Sequence, residues 1–224
     1  MKRTVILFTI GILLIGCKEK IERKSTDFRH FEFNQTLVDE LNEMKKIDQI
    51  AAYIREGEYK KMTDEQWQSF KDSVFVTNQK RISKIFKTYG FVGYDLAGKE
   101  GSDAFWVLVQ HSDHIPKFQT EVLEQMKKHV KNDNATPEYY AYLVDRVKIN
   151  TGNEQVYGTQ FTYNNRGQAI PKNISDTTGI DKRRKSLGLS PLIERMNEMT
   201  NSHYFMNENI YKKQGITEPQ LYKR

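Results

Sequence analysis

A second cysteine is missing from this chain: Cys17 is alone among 224 residues. No disulfide can therefore form within it, and stability has to come from an ordinary core. If Cys17 is itself modified, no thiol nucleophile remains either. Strong charge bias is missing too. Without Lys2 and Arg3 the 35 basic residues fall to 33 against 29 acidic ones, an excess of about +4. So small an excess argues against nucleic acid as a partner. The one basic run, Lys182-Arg183-Arg184-Lys185, reads as a solvated helix face, or alternatively as a contact for an anionic glycan or lipid headgroup. Also absent are a Gly-x-Ser-x-Gly elbow, a P-loop, a Gly-rich dinucleotide turn and a His-Glu-x-x-His pair. No cofactor is expected. There is no internal repeat and no low-complexity segment.

What is present begins with an address. Lys2 and Arg3 precede an apolar run over residues 5–15 that is too short to span a bilayer comfortably. Leu14-Ile15-Gly16-Cys17 then has the form of a lipobox, so residues 1–16 read as a lipoprotein signal peptide and Cys17 as the lipidated first residue. The alternatives are a plain secretory signal or an N-terminal membrane anchor. Residues 17–30 are mostly charged and polar and read as a tether. Lys18 stands where an inner-membrane retention aspartate would be, which favours the outer membrane of a bacterial cell envelope. The remaining chain, 31–224, is about 190 residues and suits one domain.

Apolar spacing predicts a mainly α domain of six to eight helices with one small antiparallel β-hairpin at about 155–172. Leu37, Leu41, Met44, Ile47, Ala51 and Ile54 mark a helix over 34–55, with Asp48-Gln49 beside its stripe. Thr63 and Gln66 form a capping box for the next helix, which the β-branched patch Val74-Phe75-Val76-Thr77 should interrupt. A further helix stops at Gly90. Helices are expected over 98–111, 116–130 and 137–147, with Pro116 in a first turn. From Gln155 the period becomes two, so 155–163 reads as a strand. Asn164-Asn165-Arg166-Gly167 gives the turn and 168–170 the return strand. Helices follow over 181–187 and from Ser190, an N-cap ahead of Pro191. The polar tail after Asn201 has no assignable pattern.

Four pieces of this chain carry a recognisable combination: Trp106 with Gln110-His111-Ser112-Asp113; Phe118-Gln119; Ala141-Tyr142-Leu143-Val144-Asp145-Arg146; and Gln155-Val156-Tyr157-Gly158-Thr159-Gln160. The chain resembles, over about 35–195, a bacterial family known as a domain of unknown function. Asp48-Gln49 and Gly90-Phe91 match earlier landmarks of that family, although Gly-Trp-Pro often stands at the second. The resemblance brings no activity with it.

The candidate site residues come from the same stretch. His111 shares a stripe with Ala104, Val107 and Leu108, so it is either a core histidine or a general base. Asp145 ends an apolar helix and would orient His111 if the two helices pack; the same pair could merely satisfy two buried polar groups. Asp113 is a helix cap or a ligand contact. Arg146 suits an anionic ligand group, or a structural carboxylate such as Asp48. Gly158 marks a bulge or close backbone approach. Tyr157 and Gln160 complete the ligand-binding candidates, while Gln155 lies on the opposite strand parity from Gln160. His114 follows His111 by three residues, but no third ligand at metal-site spacing accompanies them, so no metal is expected. Three readings follow. The first is a binding or accessory module for an envelope ligand, with a pocket of His111, Asp145, Arg146 and Gln160. The second is a metal-independent hydrolase of an envelope glycan or peptide using His111 and Asp145. The third is a structural lipoprotein with an internal polar network.

Overall fold

The computed structural model describes residues 31–223, so the stretches read as a signal peptide and a tether, with Cys17, lie outside the described residues. Eight α-helices and one two-stranded antiparallel sheet make up the described residues. Among them no helix is long and apolar enough to cross a membrane.

Helix α1 (Gln35–Ala52) starts where the Asn34 side chain accepts from the Leu37 amide, and it buries Leu37, Val38, Leu41 and Ala51. A 3₁₀ turn (Gly57–Lys61) leads to α2 (Asp64–Tyr89). Its capping box forms as expected: Gln66 N–H donates to Thr63 Oγ1 at 3.2 Å and Thr63 N–H donates to Gln66 Oε1 at 2.9 Å. The expected break at 74–77 does not occur, and α2 runs unbroken to Gly90. The propensity penalty of β-branched residues is only about 0.5 kcal/mol each. Burial of Asn78, Gln79, Ile82 and Ile85 further along the same helix outweighs it. Gly90 stops the helix at φ 75°, a left-handed backbone that glycine adopts without penalty.

Helix α3 (Tyr94–Gln110) begins four residues earlier than its apolar spacing suggests and kinks at Gly98. Its start is fixed from outside: Asp95 N–H donates to Asn134 Oδ1 at 2.9 Å, and Asn134 Nδ2 returns a bond to Asp95 Oδ1 at 2.7 Å. Helices α4 (Pro116–Lys131) and α5 (Pro137–Asn150) both carry proline in the first turn. Trp106 ties α3 to α5, stacking on Tyr139 at 4.1 Å while its indole N–H donates to the Tyr139 carbonyl at 2.9 Å.

The relative direction of α1 and α3 positions the site. Asn34 N–H donates to the Leu96 carbonyl at 2.8 Å at their beginnings. Near their ends Asp48 meets His111. The two helices therefore run side by side in the same direction, with α2 returning antiparallel against both. Leu41, Ile82, Ile85, Phe105, Leu108 and Val122 form the core they share with α4.

Only 161–163 of the expected long strand is a strand. β1 (Phe161–Tyr163) pairs with β2 (Ala169–Pro171), with Thr162 opposite Ile170. The hairpin packs on α7 (Leu192–Met206), where Ala169 N–H donates to Thr200 Oγ1 at 3.0 Å. Helix α6 (Ile180–Lys185) precedes α7, and α8 (Glu208–Lys213) follows it. The α7 N-cap is Pro191 without a side-chain bond, so Ser190 does not cap it; Asp181 Oδ1 accepts the Leu192 amide instead, at 2.8 Å.

Candidate functional site

His111 is the C-cap of α3, not an interior residue of the helix, and it lies at the surface end of the buried stripe. Its Nδ1 stands 2.6 Å from Asp48 Oδ2. The Asp48 side chain is 0% exposed and that of His111 is 18% exposed. An ionised carboxylate only accepts hydrogen bonds, so the proton of this bond belongs to Nδ1. In the neutral ring Nε2 then carries a lone pair, and it has no partner among the described residues. The Phe75 ring leans on the imidazole at 5.4 Å and helps fix its plane.

Burying a carboxylate is costly unless its oxygens are satisfied. Asp48 Oδ2 also accepts from Gln49 Nε2 at 3.2 Å, but Oδ1 has no partner. The imidazole opens onto a cleft of about 470 Å³ between α2 and the α3–α4 turn, lined also by Gln68, Lys71, Asp72, Asp113 and His114. A larger groove of about 650 Å³ lies at the end of α1, walled by Ile50, Tyr53, Ile54 and Met206. Its surface is mostly apolar and holds no buried ionisable pair, so the chemistry points to the smaller cleft.

Asp113 sits at the rim and does not cap α4, whose N-cap is Ile115 without a side-chain bond. Its Oδ2 accepts from Arg146 Nη1 at 2.7 Å. Its Oδ1 accepts from Gln119 Nε2 at 3.0 Å and Asn150 Nδ2 at 2.8 Å. The fully buried Gln119 also donates to the carbonyls of Val109 and Gln110, and Arg146 donates to the latter at 3.1 Å. These are carbonyls from the last turn of α3, where the regular helical ladder runs out. Arg146 thus finishes α3 and neutralises Asp113, and it makes no hydrogen bond to Asp48.

Asp145 does not orient His111. It is 0% exposed and both its oxygens are taken. Oδ1 accepts the Val156 and Tyr157 amides at 2.7 and 3.0 Å. Oδ2 accepts the Thr159 amide and hydroxyl at 2.8 and 2.9 Å. Four donors converge on one carboxylate, and this convergence bends 155–160 into a loop where the alternating pattern predicts a strand. The carbonyl side of the loop faces a cation: Arg184 Nη1 donates to the Tyr157 and Gly158 carbonyls at 2.6 and 3.3 Å. Arg184 is 1% exposed, and burial lowers its pKa. The run at 182–185 is accordingly not one solvated face. Lys182 and Lys185 are exposed, Arg184 is core, and Arg183 donates to the Val156 carbonyl at 3.0 Å.

Gln155 closes the loop by acting as a substitute strand. Its Nε2 donates to the Gln160 carbonyl at 2.9 Å, and its Oε1 accepts the Gln160 amide at 2.8 Å. The expected separation of the two glutamines by parity fails because the segment is not extended. The Gln160 side chain reaches Thr159 Oγ1 at 3.3 Å, and burial pushes the Tyr157 phenol up. Gly158 has φ 65°, and a Cβ there would stand 3.0 Å from Leu192 Cδ1, so the close approach its presence implied is real. Asp145, Tyr157 and Gln160 therefore belong to a loop-building network, while His111 and Asp113 line the cleft.

Sequence reasoning missed Asp48 as the partner of His111. A signal existed: Asp48 follows Leu41 by seven residues and Met44 by four, and precedes Ala51 by three, placing it on the buried stripe. A carboxylate there needs a partner. Lys71 carried no signal. Among the described residues no group of three His, Cys, Asp or Glu is placed to hold a metal ion.

No curated protein matches the chain and no solved structure matches it. A family model does, over residues 35–206, extending past the 35–195 of the resemblance to the end of α7. The match takes in both the Asp48–His111 pair and the Asp145 loop, and by it the chain belongs to DUF6624, a family of unknown function.

Proposed function

We propose that this chain is a lipid-anchored protein of the bacterial cell envelope whose Asp48–His111 cleft is an acid–base site for hydrolysis of an envelope substrate. The observation that carries this reading is a fully buried carboxylate on Nδ1 of an imidazole that lines a cleft and whose Nε2 has no hydrogen-bond partner among the described residues. In this arrangement Asp48 fixes ring and tautomer and stabilises the imidazolium formed on proton transfer. His111 Nε2 accepts a proton from water as the water oxygen attacks the substrate's electrophilic centre. The same proton can then return to the departing group. The cleft wall offers no Ser, Thr or Cys, which favours water over a covalent nucleophile. The lipid anchor rests on Leu14-Ile15-Gly16-Cys17 alone.

The test is turnover of envelope-derived fragments and of p-nitrophenyl acetate by the purified soluble domain. Asp48→Asn and His111→Gln should each reduce kcat/KM by about 10²-fold or more, in line with loss of a general base. Unchanged rates in both variants would overturn the acid–base reading. Ligand binding by a turnover-negative wild type, lost in His111→Gln, would assign the cleft to a binding module instead. Lipidation is read separately: mass spectrometry should show Cys17→Ala lacking the diacylglyceryl mass, and an unaltered mass relative to processed wild type refutes the lipobox.

A further inference from the structure

Resting on that acid–base reading, we propose that the bond cleaved is a phosphodiester, with His114 as the general acid and Lys71 as the cation that holds a non-bridging oxygen. Asp113 is neutralised by Arg146 and bonded by Gln119 and Asn150. Asp72 accepts from Gln68 Nε2 at 2.8 Å. The Lys71 ammonium and the His114 ring, by contrast, have no hydrogen-bond or ion-pair partner among the described residues. Lys71 is half-buried and lines the cleft, so its long stem can lie on the wall while the ammonium reaches a bound anion. Lys71 and His114 are thus two unpaired donors on one cleft wall, open to the oxygens of an anionic group, while the charge of Asp113 is offset by Arg146.

The two imidazoles differ in a way that divides the labour. His111 is backed by a buried carboxylate and has its ring fixed by Phe75. His114 has no carboxylate partner; it sits on the tight turn in which Ile115 N–H donates to the Ser112 carbonyl at 2.9 Å, and its ring is exposed. A ring steadied by a carboxylate suits the base, and a free solvated ring suits the acid. Both line one cleft.

The step balances with water as the only co-reactant. The water oxygen forms a bond to phosphorus and its proton passes to His111 Nε2. The bond from phosphorus to the leaving oxygen breaks, and that oxygen takes a proton from the His114 imidazolium. Products are a phosphomonoester and an alcohol, and solvent exchange returns both rings to their starting states. The active form needs His111 neutral and His114 protonated, so the rate should be bell-shaped in pH. The charged groups facing these rings are Asp48 from α1, Lys71 and Asp72 from α2, Asp113 on the turn, and Arg146 through Asp113 from α5.

The experiment compares glycerophosphoethanolamine and bis(p-nitrophenyl) phosphate with p-nitrophenyl acetate over pH 5–9, using the soluble domain with native fold checked by circular dichroism. Wild type should hydrolyse both phosphodiesters, glycerophosphoethanolamine with a bell-shaped profile. His114→Gln should lower kcat about 10²-fold on glycerophosphoethanolamine, whose alkoxide leaving group needs the proton, and far less on the bis(p-nitrophenyl) ester, whose leaving group does not. Lys71→Met should raise KM for both phosphodiesters and cut the ratio of phosphodiester to acetate kcat/KM about tenfold. His111-dependent acetate hydrolysis with no phosphodiester turnover overturns this inference and leaves the acid–base site standing. Turnover of none of the three substrates removes both. Glycerophosphoethanolamine turnover indifferent to His114→Gln and Lys71→Met also overturns it.

Discussion

Among the described residues two carboxylates are fully buried, and the difference in how they are satisfied separates their roles. Asp145 accepts four hydrogen bonds, three from backbone amides and one from a hydroxyl. Asp48 accepts two on one oxygen and none on the other. An unsatisfied buried acceptor costs about 1–3 kcal/mol, a penalty commonly tolerated where a group serves a purpose other than stability. The two asparagine substitutions should therefore diverge. Asp145→Asn turns an NH₂ toward amides that are themselves donors and removes the charge opposite Arg184. Breaking a buried charged network of this kind costs about 3–5 kcal/mol. In a chain of this length that lowers the melting temperature by on the order of 10 °C. Asp48→Asn removes a buried charge whose second oxygen was unpaired, and should move the midpoint by less than about 3 °C while lowering kcat/KM by about 10²-fold or more. Thermal unfolding followed by circular dichroism decides the matter. Equal losses in the two variants would put Asp48 in the same structural class as Asp145.

Elements make their own demands, and the contact of α7 with the hairpin shows one that depends on pH. His203 stacks on Tyr163 with ring centroids 3.6 Å apart, and burial lowers its pKa from the usual histidine value. The folded state therefore binds this proton less readily than the unfolded chain does, so stability rises with pH across the window. The contribution is fully present above the unfolded value, about 6.5, and falls as pH drops through it toward the folded value. Between pH 7.5 and 5.5 wild type should lose more melting temperature than His203→Gln; parallel losses would mean that this contact does not carry the dependence. The same elements show what was legible in sequence. Thr63 with Gln66, Gly90, Pro116 and the 164–167 turn act within a few residues, so their effects could be read locally. The helix through Val74-Phe75-Val76-Thr77 and the loop at 155–160 could not. Each is decided by partners distant in sequence, the core around Ile82 in one case and Asp145 with Arg184 in the other. The pairing of His111 with Asp48 spans 63 residues, and nothing local to His111 distinguishes Asp48 from Asp145 as its partner.

At the scale of the whole molecule, the parallel course of α1 and α3 sets where the cleft lies relative to the chain's entry. Phe31 N–H donates to Asp95 Oδ2 at 3.2 Å, so the described chain enters beside the start of α3. Asp48 and His111 lie near the opposite ends of both helices. The rise of about 1.5 Å per residue puts them about 21 Å further along the axis of α1 than Asn34. With lipid on Cys17, entry at one end and chemistry at the other present the cleft away from the bilayer, toward whatever fills the space beyond it. A cysteine pair can measure this, because the single native thiol would be occupied by lipid. Val76→Cys, on the cleft wall, should react with a bulky membrane-impermeant maleimide on outward-facing protein in vesicles as fast as in the soluble domain. Phe33→Cys, at a position more exposed than Val76 (57% against 37%) but at the entry end, should be slowed several-fold by vesicle attachment. Slowing at Val76 with none at Phe33 would mean that the domain lies cleft-down on the lipid, and the substrate would then have to be sought in the membrane surface itself.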